Sequence, residues 1–425
     1  MLGEPENQFS LTRAALNAFG RGKNNFLSVS VFFWCWPGLL FGLLLFFSVD
    51  GVCAVENQKP TNQLSKAAAP KSLMAALPPA KWQAVEKSVD HALAWIASQQ
   101  AADGSFPTLP AGQPAVTSLC VLGFLSRGDQ PGTGPYGPQL DRAIDFVLSC
   151  QMSNGVFSYA PLGTTHVHNS PVHTAIYNHA IAGLMLGELF GQVTGERARR
   201  VKPAIESALK FERDLQTRDK AHAFDKGGWR YLLLRSTDID VADSDMSVTA
   251  WMLMFLRSAR NAEFNVPQTW IDEAMVYVRE CWKEKEGVFY YALTGPGDVR
   301  TGRAMVAAGA LSLSLAGQHQ TPTALAAGNW LLAHPFTRYG EVVGGYDRFF
   351  YGAYYCSQAA AQLGGRYWEG IYPPLVNALL NSQSPDGSWP VEIGHGDSAF
   401  GNVYTTAMAV LSLTPPYQLL PVYQR

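Results

Sequence analysis

The chain has 425 residues, of which 47% are hydrophobic and 16% are charged. Its 32 Lys and Arg side chains nearly balance its 34 Asp and Glu side chains, so the formal net charge at pH 7 is −2. There is no basic run and no alternation of basic with aromatic residues, which argues against a nucleic-acid partner. The low charged fraction is typical of a protein with a large buried core.

The N-terminal residues 1–54 have the pattern of an export signal. An apolar run over residues 26–49 follows basic side chains, and small residues allow cleavage after Ala54. Because this run is long enough to span a bilayer, an uncleaved membrane anchor is the alternative to a signal peptide. Residues 55–80 are polar and then rich in Ala and Pro, which predicts a disordered tether. We therefore expect an exported protein, periplasmic or extracellular, with the inner-membrane-anchored form as the alternative.

From residue 81 onward, a glycine followed two residues later by an aromatic side chain recurs six times. The six pairs are Gly104/Phe106, Gly155/Phe157, Gly227/Trp229, Gly287/Phe289, Gly344/Tyr346 and Gly387/Trp389. A spacing of about 40 to 70 residues is typical of a repeat architecture. We therefore treat residues 81–425 as a single repeat domain.

In three copies, a glutamine stands four residues before the glycine, at Gln100, Gln151 and Gln383. Glycine can take the positive φ with which a chain leaves a helix. The glutamine amide can satisfy unpaired backbone groups there, and the aromatic ring can pack between neighbouring helices. We call this Gln-x3-Gly-x-aromatic pattern the staple, and we expect its role to be structural. In the fourth copy, Trp282 stands where the glutamine should be.

Helix patterns of two kinds alternate along the chain. The stretch before the first staple is amphipathic, with apolar residues at Val85, Val89, Leu93 and Ile96. Six stretches after the staples contain no Asp, Glu, Lys or Arg, namely residues 115–126, 172–187, 246–256, 304–317, 349–365 and 403–414. A helix that is apolar all round is buried. The sequence therefore predicts an all-α fold, an (α/α)6 toroid of six helix pairs with an apolar inner ring and an amphipathic outer ring.

This repeat resembles that of the squalene-hopene cyclase and protein prenyltransferase superfamily, whose members are α/α toroids, from about Lys81 onward. The third copy adds a second similarity, since Gly227-Gly228-Trp229 is followed by Asp243-Ser244-Asp245-Met246 and then Thr249-Ala250. These residues look like the Gly-Gly-Trp and DxDD-Thr-Ala motifs of squalene cyclases, whose middle Asp protonates the alkene. The resemblance implies catalytic roles for Asp245 and its neighbour Asp243.

Two departures from the cyclases argue against that activity. Met246 replaces the last Asp of the motif, and the chain is long enough for one toroid, whereas the triterpene cyclases enclose their substrate between two helical domains. A purely structural alternative is that Asp243 and Ser244 cap the third inner helix. The Asp-x-Cys zinc pair of the prenyltransferases is absent. We therefore expect a divergent single-toroid member of the superfamily, without a metal site or a cofactor.

Loops that enter the inner helices of such a ring meet at one mouth. The ligand-binding candidates expected there are His173, Trp251, Asp347, Tyr355, Glu392 and Asp397. Carboxylates among aromatic side chains also suit a glycan, and toroids of six helix pairs include glycoside hydrolases and polysaccharide lyases. The histidines at positions 166, 168, 173 and 179 are expected to be loop and core residues, with ligand contact or metal binding as alternatives.

The leading functional interpretation is an exported toroid without cyclase activity. It would bind an apolar, isoprenoid-like ligand, a glycan or a partner protein at the mouth of the ring. The alternatives are a divergent isoprenoid cyclase that uses Asp245, a carbohydrate-active enzyme, and a structural envelope protein. The four cysteines of the body fall in different repeats without a CxxC pair, which favours buried free thiols over disulfides between neighbouring repeats.

Overall fold

The computed structural model of the protein describes residues 72–164, 168–232, 242–293, 300–343, 347–392 and 396–424. The predicted signal or anchor, most of the predicted tether, and the candidates His166, Gly344, Tyr346 and His395 lie outside the described residues. Within the described ranges, no helix is both long enough and apolar enough to cross a membrane.

The described residues form twelve α-helices that build two concentric rings. In chain order they are α1 (Pro79–Ser98), α2 (Ala115–Arg127), α3 (Gly137–Ser149), α4 (Pro171–Leu189), α5 (Gly195–Thr217), α6 (Met246–Asn261), α7 (Gln268–Glu280), α8 (Arg303–Leu315), α9 (Pro322–Ala333), α10 (Phe349–Leu363), α11 (Gly365–Leu380) and α12 (Gly401–Leu413). Each even-numbered helix packs against the next, and α12 packs against α2, so the inner ring is closed. The predicted (α/α)6 toroid is confirmed.

Burial separates the two rings as the sequence predicts. Every residue of α2 from Ala115 to Ser126 is buried, whereas α1 buries one stripe that includes Val85, Val89 and Ile96. A helix without charged residues can be buried on all sides without removing a charge from water, whereas an amphipathic helix keeps its charged face in water. The six charge-free stretches predicted from the sequence therefore form the inner ring. The outer helix α9 is an exception to the rule, because it has no charged residue and yet is buried along one stripe only.

In the first repeat, the staple clamps one outer helix to the next. The Gln100 side-chain amide donates to the Gly104 carbonyl at 3.0 Å and to the Gln139 carbonyl in α3 at 2.8 Å. Gly104 has φ +91°, and a Cβ placed there would lie 2.3 Å from the Arg142 carbonyl oxygen of α3. The glycine is therefore required both by its backbone conformation and by close contact with the neighbouring helix.

The third repeat keeps this clamp with a displaced glutamine. Gln216, eleven residues before Gly227, donates to the Gly227 carbonyl at 3.0 Å and to the Trp270 carbonyl in α7 at 2.8 Å. The inserted residues thus form a loop that leaves the clamp intact. The last copy closes the ring, because the Gln383 amide donates to the Ser88 carbonyl in α1 at 3.0 Å.

The fourth copy lacks the clamp. Trp282 begins a short antiparallel hairpin, in which β1 (Trp282–Lys283) pairs with β2 (Val288–Phe289). Gly287 has φ +68°, but no atom lies within 4 Å of a Cβ placed there. The glycine of this copy shapes a turn and makes no close contact with a neighbouring helix.

The staple aromatics are also tied to the inner helices. The backbone N–H of Phe106 donates to Thr117 Oγ1 of α2 at 3.0 Å, and Trp389 donates likewise to Thr406 of α12 at 2.9 Å. In the second repeat, the acceptor is Nδ1 of His179 at 3.4 Å. Burial lowers the pKa of His179 to about 3, so the ring stays neutral and accepts this hydrogen bond. His179 is therefore a core histidine.

The folded body begins before the predicted boundary at residue 81. Leu73–Ala76 forms a 3-10 turn, whose Leu73 and Met74 carbonyls accept hydrogen bonds from the indoles of Trp368 and Trp82 at 2.7 and 2.5 Å. Of the predicted end of the tether, residues 72–78 are therefore held against α1 and α11, and Pro79 and Ala80 are the first residues of α1. The two tryptophans donate the hydrogen bonds that hold this segment, and the composition of the segment alone does not predict them.

The C-terminal segment covers the end of the ring at which the inner helices finish. The Val422 N–H donates to Glu188 of α4 at 3.1 Å, and Asn261 of α6 donates to the Pro421 carbonyl at 2.9 Å. The Tyr423 hydroxyl is hydrogen bonded to that of Tyr354 in α10. Contacts with three inner helices fix the segment across this end.

The cysteines follow the free-thiol prediction. Cys120, Cys150, Cys281 and Cys356 are all buried and unpaired. Burial raises the pKa of Cys150 and of Cys281 to about 12, which keeps these thiols protonated and unreactive near neutral pH.

Candidate functional site

A cavity of about 320 Å³ lies at the end of the ring where the inner helices begin. All six inner helices contribute side chains to its wall, among them Leu119, Tyr177, Trp251, Met305, Tyr351 and Tyr404. Its volume falls at the lower end of the range for small-molecule sites, roughly 300 to 1,000 Å³. We call this space the mouth cavity.

The deeper part of the mouth cavity is apolar. Leu119, Ile181 and Trp251 lie a turn or more inside α2, α4 and α6, and all three line the cavity. The Trp251 indole is held in place, because its Nε1 donates to the Tyr351 hydroxyl at 3.0 Å and its ring stacks on Tyr354 with centroids 5.3 Å apart. This floor suits the hydrocarbon part of a ligand.

The rim of the mouth cavity is polar, because the loops before the inner helices supply charged side chains. The lining includes three arginines, Arg230, Arg300 and Arg348, and the carboxylate of Asp397. Arg348 and Asp397 form an ion pair across the loops before α10 and α12. The cavity thus combines an apolar floor with a charged rim.

Two tyrosines organise the other two arginines. The hydroxyls of Tyr231 and Tyr291 are hydrogen bonded to each other. The Arg300 guanidinium lies 4.3 Å from the centroid of the Tyr291 ring, and the Arg230 guanidinium lies 5.6 Å from both ring centroids. Burial raises the pKa of both tyrosines, so they remain protonated. Cation–π contacts hold the two guanidinium groups at the rim.

Asp245 is the N-cap of α6. It is fully buried, its Oδ1 accepts from the Val248 N–H at 2.8 Å, and its Oδ2 lies 3.7 Å from Arg230 Nε. Burial raises its pKa to about 6, while Arg230 acts in the opposite direction. Asp245 does not line the mouth cavity but contacts Arg230, which does. The capping residue is thus Asp245, not the predicted pair Asp243 and Ser244.

Asp243 organises the loop before α6. One of its carboxylate oxygens accepts from the Ala221 N–H at 2.7 Å, and its own N–H donates to Asp225 at 2.7 Å. The Lys220 ammonium donates to the Asp243 carbonyl at 3.0 Å. Asp243 is not part of the cavity lining, so these contacts give it a local structural role.

Two more of the carboxylates that were predicted to bind a ligand form buried contacts within the protein. Asp347 forms an ion pair with Arg303 at 2.5 Å, and both side chains are fully buried. Glu392 accepts from the N–H groups of Phe349 and Phe350 at 2.6 and 3.1 Å, so it caps α10. Burial raises the pKa of Glu392 to about 7. Neither carboxylate lines the mouth cavity.

The remaining candidates divide between wall and core. His173 lines the cavity, its Nδ1 accepts from the Asn169 N–H at 2.8 Å, and its ring centroid lies 4.2 Å from that of Tyr231. Tyr355 packs edge-on against Trp251 but lies outside the lining. Of the eight predicted site residues, the structure therefore brings His173, Trp251 and Asp397 together at the cavity. Within the described ranges, no group of three His, Cys, Asp or Glu side chains is placed to hold a metal ion.

Sequence reasoning missed the arginines and tyrosines of the rim. Tyr231 and Tyr291 each follow a staple aromatic by two positions, after Trp229 and Phe289. Arg230 directly follows Trp229. Their positions relative to the staple could have indicated these residues, because in the third and fourth repeats residues just after the staple aromatic line the mouth cavity.

No family model matches the chain, and no curated protein matches it in sequence. Among solved structures, a variant of type II terpene cyclase MstE from Scytonema, in complex with geranylgeranyl dihydroxybenzoate, is similar with a TM-score of 0.52 and 15% identity. The similarity covers 81% of this chain and 100% of that chain. The whole length of that cyclase chain is therefore aligned with the toroid of this protein.

Two carbohydrate-related structures are similar to the same degree. D-mannose isomerase matches with a TM-score of 0.56 and 13% identity, over 81% of this chain and 99% of that chain. An inactive variant of the alpha-1,6-mannanase of Salegentibacter sp., in complex with alpha-1,6-mannotriose, matches with a TM-score of 0.53 and 9% identity, over 79% and 99%. At these identities the similarity concerns the fold, and the chain has the terpene-cyclase-like α/α toroid fold that the sequence predicts.

Proposed function

We propose that the mouth cavity binds a small amphipathic ligand with an isoprenoid-like apolar body, and that the protein does not cyclise it. The observation that carries the proposal is the apolar floor of Leu119, Ile181 and Trp251 beneath a charged rim. Burial of one CH2 group contributes about 0.8 kcal/mol, so about ten buried carbon atoms correspond to roughly 8 kcal/mol before the costs of ordering. We therefore expect a dissociation constant in the micromolar range or weaker.

Glycan hydrolysis is a poorer match to the same cavity. Hydrolysis of a glycosidic bond uses two carboxyl groups across the sugar. Among the described lining residues, Asp397 is the one carboxylate, and it is paired with Arg348. Asp347 and Glu392, the other expected acids, hold buried contacts elsewhere.

Isoprenoid cyclisation through Asp245 is the second candidate function. It is favoured by the buried position of this carboxyl group and by its pKa near 6. Its position argues against it, because Asp245 faces the Val248 N–H and Arg230 and does not line the cavity. An acid that protonates an alkene must touch that alkene.

Equilibrium dialysis of the purified full-length protein against labelled farnesol and labelled mannotriose tests the binding proposal. Ile181→Trp fills the floor and should weaken farnesol binding at least tenfold. Val276→Trp, at an exposed position of α7, is the matched control and should leave it unchanged. Binding of mannotriose without farnesol would refute the proposal in favour of a glycan ligand. An Asp245-dependent cyclic product would favour the cyclase.

We further propose that the protein is exported and that residues 55–71 tether it. The support is the apolar run over residues 26–49 and the small residues before position 55. Mass spectrometry of fractionated cells should find the body outside the cytoplasm, with a mature N-terminus near Val55 if the signal is cleaved. Soluble cytoplasmic protein that retains Met1 would contradict export.

A further inference from the structure

Three hydroxyl groups form a hydrogen-bonded row in the mouth cavity. The Ser247 hydroxyl lies 2.9 Å from that of Tyr177 and 2.6 Å from that of Tyr351, and all three residues line the cavity. We propose that this hydroxyl row binds an uncharged ligand oxygen that accepts a hydrogen bond, as in an ether, a carbonyl group or an alcohol. The inference rests on the proposed function, to which it adds the polar group of the ligand and the residues that bind it.

The hydroxyl row lies directly above the apolar floor. Trp251 of the floor follows Ser247 by four residues, so it lies on the same face of α6 one turn deeper. Ile181 has the same relation to Tyr177 in α4. Tyr351 belongs to α10, and α8 separates α10 from α6 in the inner ring. The hydrogen bond between Ser247 and Tyr351 therefore crosses the inside of the ring, where a ligand on the floor would meet it.

The hydroxyl row has one proton more than its own hydrogen bonds use. Three hydroxyls carry three protons, and the two hydrogen bonds between them use two. The Trp251 indole is a donor only, so its bond to the Tyr351 hydroxyl at 3.0 Å uses none of these protons. The third proton is donated outside the row, to the Tyr231 or Tyr355 hydroxyl at either end or to an oxygen in the cavity. Because a hydroxyl hydrogen rotates about the C–O bond, it can turn to a ligand oxygen on binding.

The hydroxyl row carries no charge. Burial raises the pKa of Tyr177 and of Tyr351, so both hydroxyls keep their protons near neutral pH. A charged group of the ligand at this depth would lose its hydration without gaining an opposite charge from the row. A hydrocarbon at the same place would cover the hydroxyls without offering them an acceptor, which is also unfavourable. An uncharged oxygen avoids both costs.

The test compares geranyl methyl ether with the hydrocarbon in which a CH2 group replaces its ether oxygen. Equilibrium dialysis with the purified full-length protein gives the two dissociation constants. A purely apolar cavity binds the hydrocarbon more tightly, because that ligand has more apolar surface to remove from water. With the hydroxyl row as donor, the ether should instead bind about threefold more tightly or better. A hydrocarbon that binds as tightly as the ether would overturn the inference while the proposed function stands, whereas binding of neither would refute the proposed function itself.

Removal of hydroxyls then localises the preference. The double variant Tyr177→Phe/Ser247→Ala should shift the ratio of the two dissociation constants about tenfold in favour of the hydrocarbon. The matched control Tyr290→Phe/Ser98→Ala removes the same two groups at exposed positions outside the cavity lining and should leave the ratio unchanged. Circular dichroism establishes that each variant is folded, and the single variants Tyr177→Phe and Ser247→Ala replace the double variant if it is not. A ratio equal to that of the parent in the folded variants would show that the hydroxyl row does not bind the oxygen.

Discussion

Replacement of Gly104 by alanine would test whether the staple holds neighbouring outer helices together. At φ +91° an alanine is strained, and its Cβ would lie 2.3 Å from the Arg142 carbonyl oxygen and 2.6 Å from the carbonyl carbon. Both atoms belong to the backbone of α3, so no side-chain rotation can relieve the contact. Either α3 or the staple turn must move.

Backbone strain and the close contact with α3 both lower the stability of Gly104→Ala. A positive φ costs an alanine about 1 to 2 kcal/mol, and forcing atoms into a packed interface costs typically about 1 to 3 kcal/mol more. Gly104→Ala should therefore lower the free energy of unfolding by roughly 2 to 5 kcal/mol. Gly287→Ala has the backbone strain without the close contact, because φ is +68° and no atom lies within 4 Å of a Cβ placed there. It should therefore lower the free energy of unfolding by about 1 to 2 kcal/mol.

Thermal melts followed by circular dichroism compare the two variants directly. For a large domain, about 2 °C of Tm corresponds to 1 kcal/mol. We expect Gly104→Ala to melt about 4 to 10 °C below the parent and Gly287→Ala about 2 to 4 °C below it. Gly387→Ala should resemble Gly104→Ala, because its Cβ would lie 2.7 Å from the His91 carbonyl oxygen. Equal melting temperatures for Gly104→Ala and Gly287→Ala would refute the clamp.

Three further predictions follow from buried polar groups. Burial raises the pKa of Glu188 from 4.5 to about 7, so the folded state retains a proton that the unfolded state releases between these values. Stability should fall by up to about 3 kcal/mol as pH rises through that window, and in melts across pH Glu188→Gln should reduce the slope without abolishing it, because the pKa values of Glu392 and Asp245 are raised in the same direction. Gln216→Leu leaves the Gly227 and Trp270 carbonyls without their donor. It should lower the free energy of unfolding by about 2 to 4 kcal/mol in the same melts. An unchanged Tm would show that Gln216 is not part of the clamp. The parent protein should form no cyclic product from squalene by gas chromatography. Asp245→Asn should keep the helix cap but lower the Tm, because it removes the buried carboxylate beside Arg230.

The ring could be predicted because one pattern repeats. In five of the six pairs a charge-free stretch alternates with a helix that has a charged face, and this difference predicts which layer each occupies. In α9 that signal is missing, because this outer helix has no charged residue. The glycine with its aromatic marks the turn between the two helices. Where the staple departs from the pattern, sequence reasoning was less complete. Gln216 was missed because the insertion places it eleven residues from Gly227, although it makes the same two hydrogen bonds as Gln100.

The site was harder to predict, because burial decides what a carboxylate does. Asp347 and Glu392 look like exposed loop acids in sequence, yet one neutralises the buried Arg303 and the other caps α10. Both partners lie more than forty residues away along the chain, so their pairing depends on how the repeats stack. The local sequence pattern does not show which residues of neighbouring repeats pair with each other.

At Asp245, sequence similarity and geometry lead to different roles. The motif places an acid before α6, and the structure gives it a raised pKa, as a proton donor would need. Yet the nearby Arg230 favours the ionised form of this carboxyl group. In its ionised form Asp245 can hold Arg230 in position at the rim. The carboxylate that the cyclase motif suggests as an acid would then position an arginine of the cavity wall.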